Sequence, residues 1–165
     1  MTTDGAKPEQ ERAKAPHEVF MFNLIAFHLL LTPAVIALGI GAWGLLLPPG
    51  LSLLVIGYIY LRARRTAKGE PPLVAGHWQV AWRRCRLLLL AYGASALLLL
   101  GAWGLAHAYQ DPSMQEIMFT VLTRVAVMPV VVMVFVLAVL ESGAIYQAGR
   151  GEVPGRPSAQ SDDST

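Results

Sequence analysis

An all-α integral membrane bundle of four transmembrane helices, with both termini cytoplasmic, is the fold this sequence predicts. Three observations predict it. Residues 19–61 and 87–110 contain no Asp, Glu, Lys or Arg, and from 117 to 140 the only charge is Arg124. A span needs roughly 20 apolar residues to cross a hydrocarbon core of roughly 30 Å, so the first run serves two crossings and each of the others one. Charged residues make up only 15% of the chain, against roughly 25% in a soluble domain, and the deficit lies in those runs. Finally, Arg62, Arg64, Arg65, Lys68, Arg83, Arg84 and Arg86 stand between the second and third spans against a single acid, Glu70. Short loops rich in Lys and Arg stay in the cytoplasm, which places this loop and both tails on that side. Ten of the 13 basic residues are Arg, and Ala and Leu abound, a composition that suits a GC-rich bacterial genome; with the four spans, the location expected is a bacterial inner membrane.

The elements follow in order. Residues 1–17 are polar, carry Pro8 and Pro16, and read as a disordered cytoplasmic tail. The transmembrane domain then covers 18–147, and 148–165 form a second tail. The first helix is expected over about 18–45, kinked at Pro33 and stopped by Pro48-Pro49-Gly50. A mixed-charge tail ahead of so long an apolar run argues against a signal peptide, whose apolar region is about 7–15 residues. The second span, about 50–66, is completed by Arg62, Arg64 and Arg65 snorkelling into headgroups. The third, about 78–108, starts in the interface with Trp78 and Trp82. The fourth, about 114–146, starts at a cap from Asp111 or Ser113. A Ser113 cap puts Glu116 three residues on, where a capping box needs it, and is the preferred reading.

The pentapeptide Gly-Ala-Trp-Gly-Leu occurs at 41–45 and again at 101–105. The flanks do not align, since apolar 51–61 would fall on the loop and helix start at 111–121. The two copies therefore read as interfacial anchors that close two helices at one outer surface, with Trp43 and Trp103 at the same depth. On that ruler His28 lies level with Leu88, near the cytoplasmic boundary. A lone His with Thr32 one turn on reads as interhelical hydrogen-bonding glue.

Arg124 is the principal candidate functional residue, because an ionisable group within a span costs about 2.5–3.5 kcal/mol on insertion scales. Thr120 and Glu116 lie on its face toward the outer surface. They allow a snorkelling ion pair or, in the sharper reading, an anion site. His17, His77 and Cys85 share the cytoplasmic side without any metal-site spacing. Glu18, Asp111, Glu116 and Glu141 sit at helix ends. His28 near the inner boundary and His107 at the outer end leave no pair of spans with two histidines at a common depth, as haem ligands would need, so no cofactor is expected within this chain. Arg62, Arg64, Arg65, Arg83, Arg84 and Arg86, interleaved with Trp78 and Trp82, attract anionic lipid headgroups at about 1 kcal/mol each; nucleic acid is not implied.

No phosphate loop, nucleophile elbow or paired-carboxylate arrangement occurs in the sequence. These residues predict a non-catalytic membrane subunit: an anchor, assembly or regulatory component of a larger complex, partnered by lipid and by other membrane subunits or itself. The alternatives are a small homo-oligomeric transporter or channel selecting anions with Arg124, and a redox subunit sharing a quinone or haem with a partner.

Overall fold

The computed structural model describes residues 8–155 apart from 42 and 68. Among these the chain is helical without strands, running α1 (Glu9–Asn23), a π-helical segment (Leu24–Leu31), α2 (Thr32–Ala37), a 3₁₀ turn (Gly44–Leu46), α3 (Leu47–Thr66), α4 (Pro72–His107) and α5 (Pro112–Gly149). Four continuous helical stretches are long and apolar enough to cross a membrane: Glu9–Ala37, Gly44–Thr66, Pro72–His107 and Pro112–Gly149. They fit a multi-pass membrane protein.

The chain divides into two compact units. One gathers the described residues up to Arg83 with those from Val139 onward, and the other is Arg84–Ala138. The 36 residues of α4 measure about 54 Å at 1.5 Å per residue, well beyond a hydrocarbon core. The overhanging start of α4 and end of α5 both belong to the first unit, where α1 and α3 also lie. That unit buries Ala13, Phe20, Ile59, Ala63, Val74 and Ala81.

Several expected boundaries move, each for an identifiable reason. The N-terminal tail does not persist to residue 17, because helix begins at Glu9 after Pro8 at the N-cap (φ −48°, ψ 143°). Glu9 and Glu11 stand in the first turn, where carboxylates favour the positive end of the helix dipole. Pro16 lies inside α1 and is fully buried. The first helical stretch ends at Ala37, not near 45, because Gly39 (φ +62°) and Gly41 (φ +81°) turn the chain through the left-handed region. Pro48 and Pro49 open α3 rather than merely stopping the helix before it. Proline tolerates the first helical turn, where its missing N–H has no intrahelical partner anyway.

The two Gly-Ala-Trp-Gly-Leu copies differ in structure. The second lies wholly within α4, whereas the first is a turn leading into the 3₁₀ segment. Residues 28 and 43 are therefore not joined by continuous α-helix, and the sequence ruler that placed His28 against Trp43 does not hold.

Pro33 acts through the π-helical segment. Without an N–H, and with a ring that crowds the carbonyl four residues back, it is preceded by the wider i→i+5 winding of Leu24–Leu31. Side chains take up the same spacing: the Thr32 hydroxyl donates to the Phe27 carbonyl at 3.0 Å, and His28 Nδ1–H to the Asn23 carbonyl at 3.3 Å. Asn23 itself is fully buried, with neither amide atom hydrogen-bonded. An unsatisfied buried amide costs about 1–3 kcal/mol. Asn23→Leu, which keeps the branched shape, is therefore expected to stabilise the protein by about 1 kcal/mol or more. Unfolding in detergent micelles checks this, and a loss of stability would assign the amide a partner.

Toward the C-terminus, residues 148–155 of the expected tail form a defined cap and strap, and the rest of that tail lies outside the described residues. The Glu152 N–H donates to the Gln147 carbonyl and the Gly151 N–H to the Ala148 carbonyl, both at 3.1 Å, around Gly151 at φ +73°. This is a Schellman cap, which needs a left-handed residue and so favours glycine.

Candidate functional site

Three polar side chains lie on the buried stripes of three different helices. In α1 and the first residue of the π-helical segment, Ala13, His17, Phe20 and Leu24 are buried; in α4, Val74, His77 and Ala81; in α5, Leu137, Glu141, Ala144 and Ala148. Each polar residue occupies a position that the 3.6-residue period turns inward.

These residues form one connected series. Glu141 Oε2 lies 2.6 Å from His17 Nδ1, and His17 Nε2 lies 2.9 Å from His77 Nδ1. His77 Nε2 then meets the Glu152 carbonyl oxygen at 3.1 Å. The two imidazole rings are perpendicular, with centroids 5.0 Å apart. His17 and Glu141 are wholly inaccessible to solvent, and His77 all but so. Because the two nitrogens of His17 point to different partners, the ring links Glu141 to His77 rather than gathering them about one ion. Among the described residues no group of three or more His, Cys, Asp or Glu side chains is placed to hold a metal.

The polarity of the series is fixed at one end. A backbone carbonyl only accepts, so His77 Nε2 carries the hydrogen and donates it to Glu152. With His77 neutral, its Nδ1 accepts from His17 Nε2–H. The bond between His17 and Glu141 then holds one further proton, on the carboxyl or on the ring.

Around this series α3 and α4 are fastened by flatter contacts. Gln79 Nε2–H donates to the Ala63 carbonyl at 3.0 Å. Trp78 packs edge-on to Tyr58, Trp82 lies 4.7 Å from Tyr60 by ring centroids, and the Arg62 guanidinium stands 5.7 Å from the centre of the Trp78 ring. Trp78 is only 3% exposed and packs α3 on α4. Arg64 stacks over Tyr60, while Arg65, Arg83 and Arg86 are exposed and Arg84 is half-buried. A cleft of about 280 Å³ beside Trp78 is lined by Arg12, Lys14 and Arg62 and by Glu11, Glu18 and Glu70. Arg12 pairs with Glu70. Cations and carboxylates balance there, so the cleft has no net bias toward an anion.

The other predicted site residues are not brought to this series. Arg124, Glu116 and Thr120 are exposed on α5, and no hydrogen bond or ion pair joins Arg124 to Glu116 or Thr120. Trp43 is 83% exposed and Trp103 56%. The start of α5 is capped by Asp111 and not by Ser113: the Asp111 carboxylate accepts from the Ser113 N–H at 2.9 Å and from its hydroxyl at 2.8 Å. Those two bonds hold the Asp111 carboxyl below its ordinary range. Pro112 thus takes the first helical position.

Family models, curated proteins and solved structures were all compared with the chain, and none matches it. The fold and the site together define a multi-pass helical membrane protein with a buried histidine–carboxylate series in its terminus-bearing unit.

Proposed function

We propose that the chain is a non-catalytic protein of the bacterial inner membrane, an anchor, assembly or regulatory component of a larger complex, with both termini in the cytoplasm. One observation carries this reading. His17, His77 and Glu141, the buried histidine and acidic side chains among the described residues, hold the N-terminal helix and the C-terminal segment against α4. That is a docking arrangement for the terminal segments, not a base or nucleophile presented to an open cleft. The exposed apolar faces of α4 and α5 suit lipid and neighbouring helices, and the exposed Arg124 guanidinium suits a lipid phosphate or a partner's carboxylate. Four crossings return the chain to the side on which it began, and the basic residues at the end of α3 and in α4 favour the cytoplasm for that side.

Purification in mild detergent followed by mass spectrometry is expected to recover other membrane proteins in fixed ratio with this chain. A chain that migrates alone, or only with itself, overturns the subunit reading and favours the homo-oligomeric transporter. Reporter fusions at Pro49 and Asp111 are expected outside and one at Gly69 inside; the opposite pattern overturns the orientation.

A further inference from the structure

We propose that His17, His77 and Glu141 form a proton-binding relay whose occupancy decides whether the C-terminal strap, residues 150–155, is docked on α4. The inference deepens the regulatory reading above and rests on it only for its biological use.

The argument is a count of hydrogens. The series from Glu141 to the Glu152 carbonyl contains three hydrogen bonds, and each needs one hydrogen. Two neutral imidazoles bring two. The third is therefore an acquired proton, and with it the trio is electrically neutral: carboxylic acid and two imidazoles, or carboxylate, one imidazolium and one imidazole. Without that proton, two hydrogens serve three bonds, and one acceptor must face another.

The strap end is where that mismatch is relieved. His77 is the member that meets the strap, and Glu152 is a half-buried residue at the surface of the unit, so the strap end is where water can take the place of its carbonyl. The step balances as follows. His77 Nε2 gives its proton to water, His77 Nδ1 takes the proton of His17 Nε2, and His17 Nδ1 takes the proton of Glu141. The products are hydronium, a Glu141 carboxylate accepting from His17 Nδ1–H, and His17 Nε2 accepting from His77 Nδ1–H. His77 Nε2 is then a bare acceptor. It repels the Glu152 carbonyl and accepts from water once the strap has lifted.

Two further features place the strap at this point. Gly151 at φ +73° directs the chain back, and Pro154 closes on Gly76, where an added Cβ would sit 3.2 Å from the proline ring. Gly76 immediately precedes His77. Charged groups on the surrounding elements are Arg12 with Glu70, Glu18, Lys14 against Gly149, Arg62 over Trp78, and Arg150 with Glu152 at 2.9 Å.

Carbethoxylation of the full chain in micelles, mapped by mass spectrometry, reads the strap directly, with exposed His107 as the internal reference at each pH. The His77-to-His107 ratio is expected to rise about tenfold or more between about pH 6 and about pH 9.5 as the strap opens. Glu141→Gln supplies the third hydrogen from an amide that does not titrate, so its ratio is expected to stay low throughout. Gly151→Val, which strains the turn, is expected to give a high ratio at both ends while helicity is kept. A pH-independent wild-type ratio overturns the proposal. So does a folded Glu141→Gln that opens like wild type, or a folded Gly151→Val that still protects His77. Purification of the chain without partners removes the subunit reading and leaves this ratio unaffected.

Discussion

Glu141→Leu is expected to destabilise the protein by about 3 kcal/mol, measured by unfolding in detergent micelles. Two descriptions of the loss meet at that value. A buried acceptor deprived of its donor costs about 1–3 kcal/mol, and a buried charge deprived of its counter-charge about 3–5 kcal/mol. His17 Nδ1 falls under one or the other according to where the shared proton resides. Glu141→Gln retains a donor at 2.6 Å separation and is expected to lose about 1 kcal/mol or less. The informative variant is the triple replacement His17→Leu, His77→Leu, Glu141→Leu. An apolar set of similar volume often matches or exceeds the stability of a buried polar one. Recovery of most of the single-variant loss is therefore expected. It would mean that the series is not there for stability, which is what a relay requires. If the triple variant is as unstable as Glu141→Leu, the three side chains are structural cement.

The sequence made the four spans legible because lipid imposes a length and an absence of charge that a reader can count. Residues 19–61, 87–110 and 117–140 announce themselves in that way. The histidine–carboxylate series is harder to see for the same reason. Glu141 has the look of a helix-end acid and His17 that of a tail residue, because both lie just outside the apolar runs. The helices continue past the runs, from Glu9 and to Gly149. Across those overhangs and the adjoining ends of the runs an inward stripe is visible: Ala13, His17, Phe20 and Leu24, or Leu137, Glu141, Ala144 and Ala148. A polar residue in an apolar i, i+4, i+7 register is the signal that was available. What no stripe supplies is the pairing between stripes, which depends on how three helices from distant parts of the chain meet. Arg124 was conspicuous for the opposite reason. It is a charge inside an apolar run, and its exposure on α5 leaves its use to lipid or to a partner.

Gly44→Ala and Gly104→Ala, at equivalent positions of identical pentapeptides, are expected to change stability in opposite directions. At Gly44 an added Cβ would lie 2.8 Å from Val35 Cγ1 and 2.9 Å from two atoms of Ile40, closer than carbon atoms pack. Val35 is buried at 2% exposure, and one of the Ile40 atoms is its Cβ, which moves only with the backbone, so the turn must shift. Overpacking of this kind costs about 1–3 kcal/mol. At Gly104 nothing lies within 4 Å of the added carbon, and the residue is inside α4. There alanine removes the entropic penalty of glycine in a helix and gains about 0.5–1 kcal/mol. The difference comes from what precedes each copy. Gly39 and Gly41 have already turned the chain through positive φ when it reaches Trp43, so Gly44 is pressed against the helix just left behind. Nothing turns the chain before Gly101, and the second copy continues the helix. Equal signs for the two substitutions, read from micellar unfolding of each single variant, would mean that the copies share a conformation and would reopen the case for duplication. Opposite signs make the repeated pentapeptide two solutions to two local problems, alike in residues because small side chains beside a tryptophan suit both a tight turn and an exposed helix end.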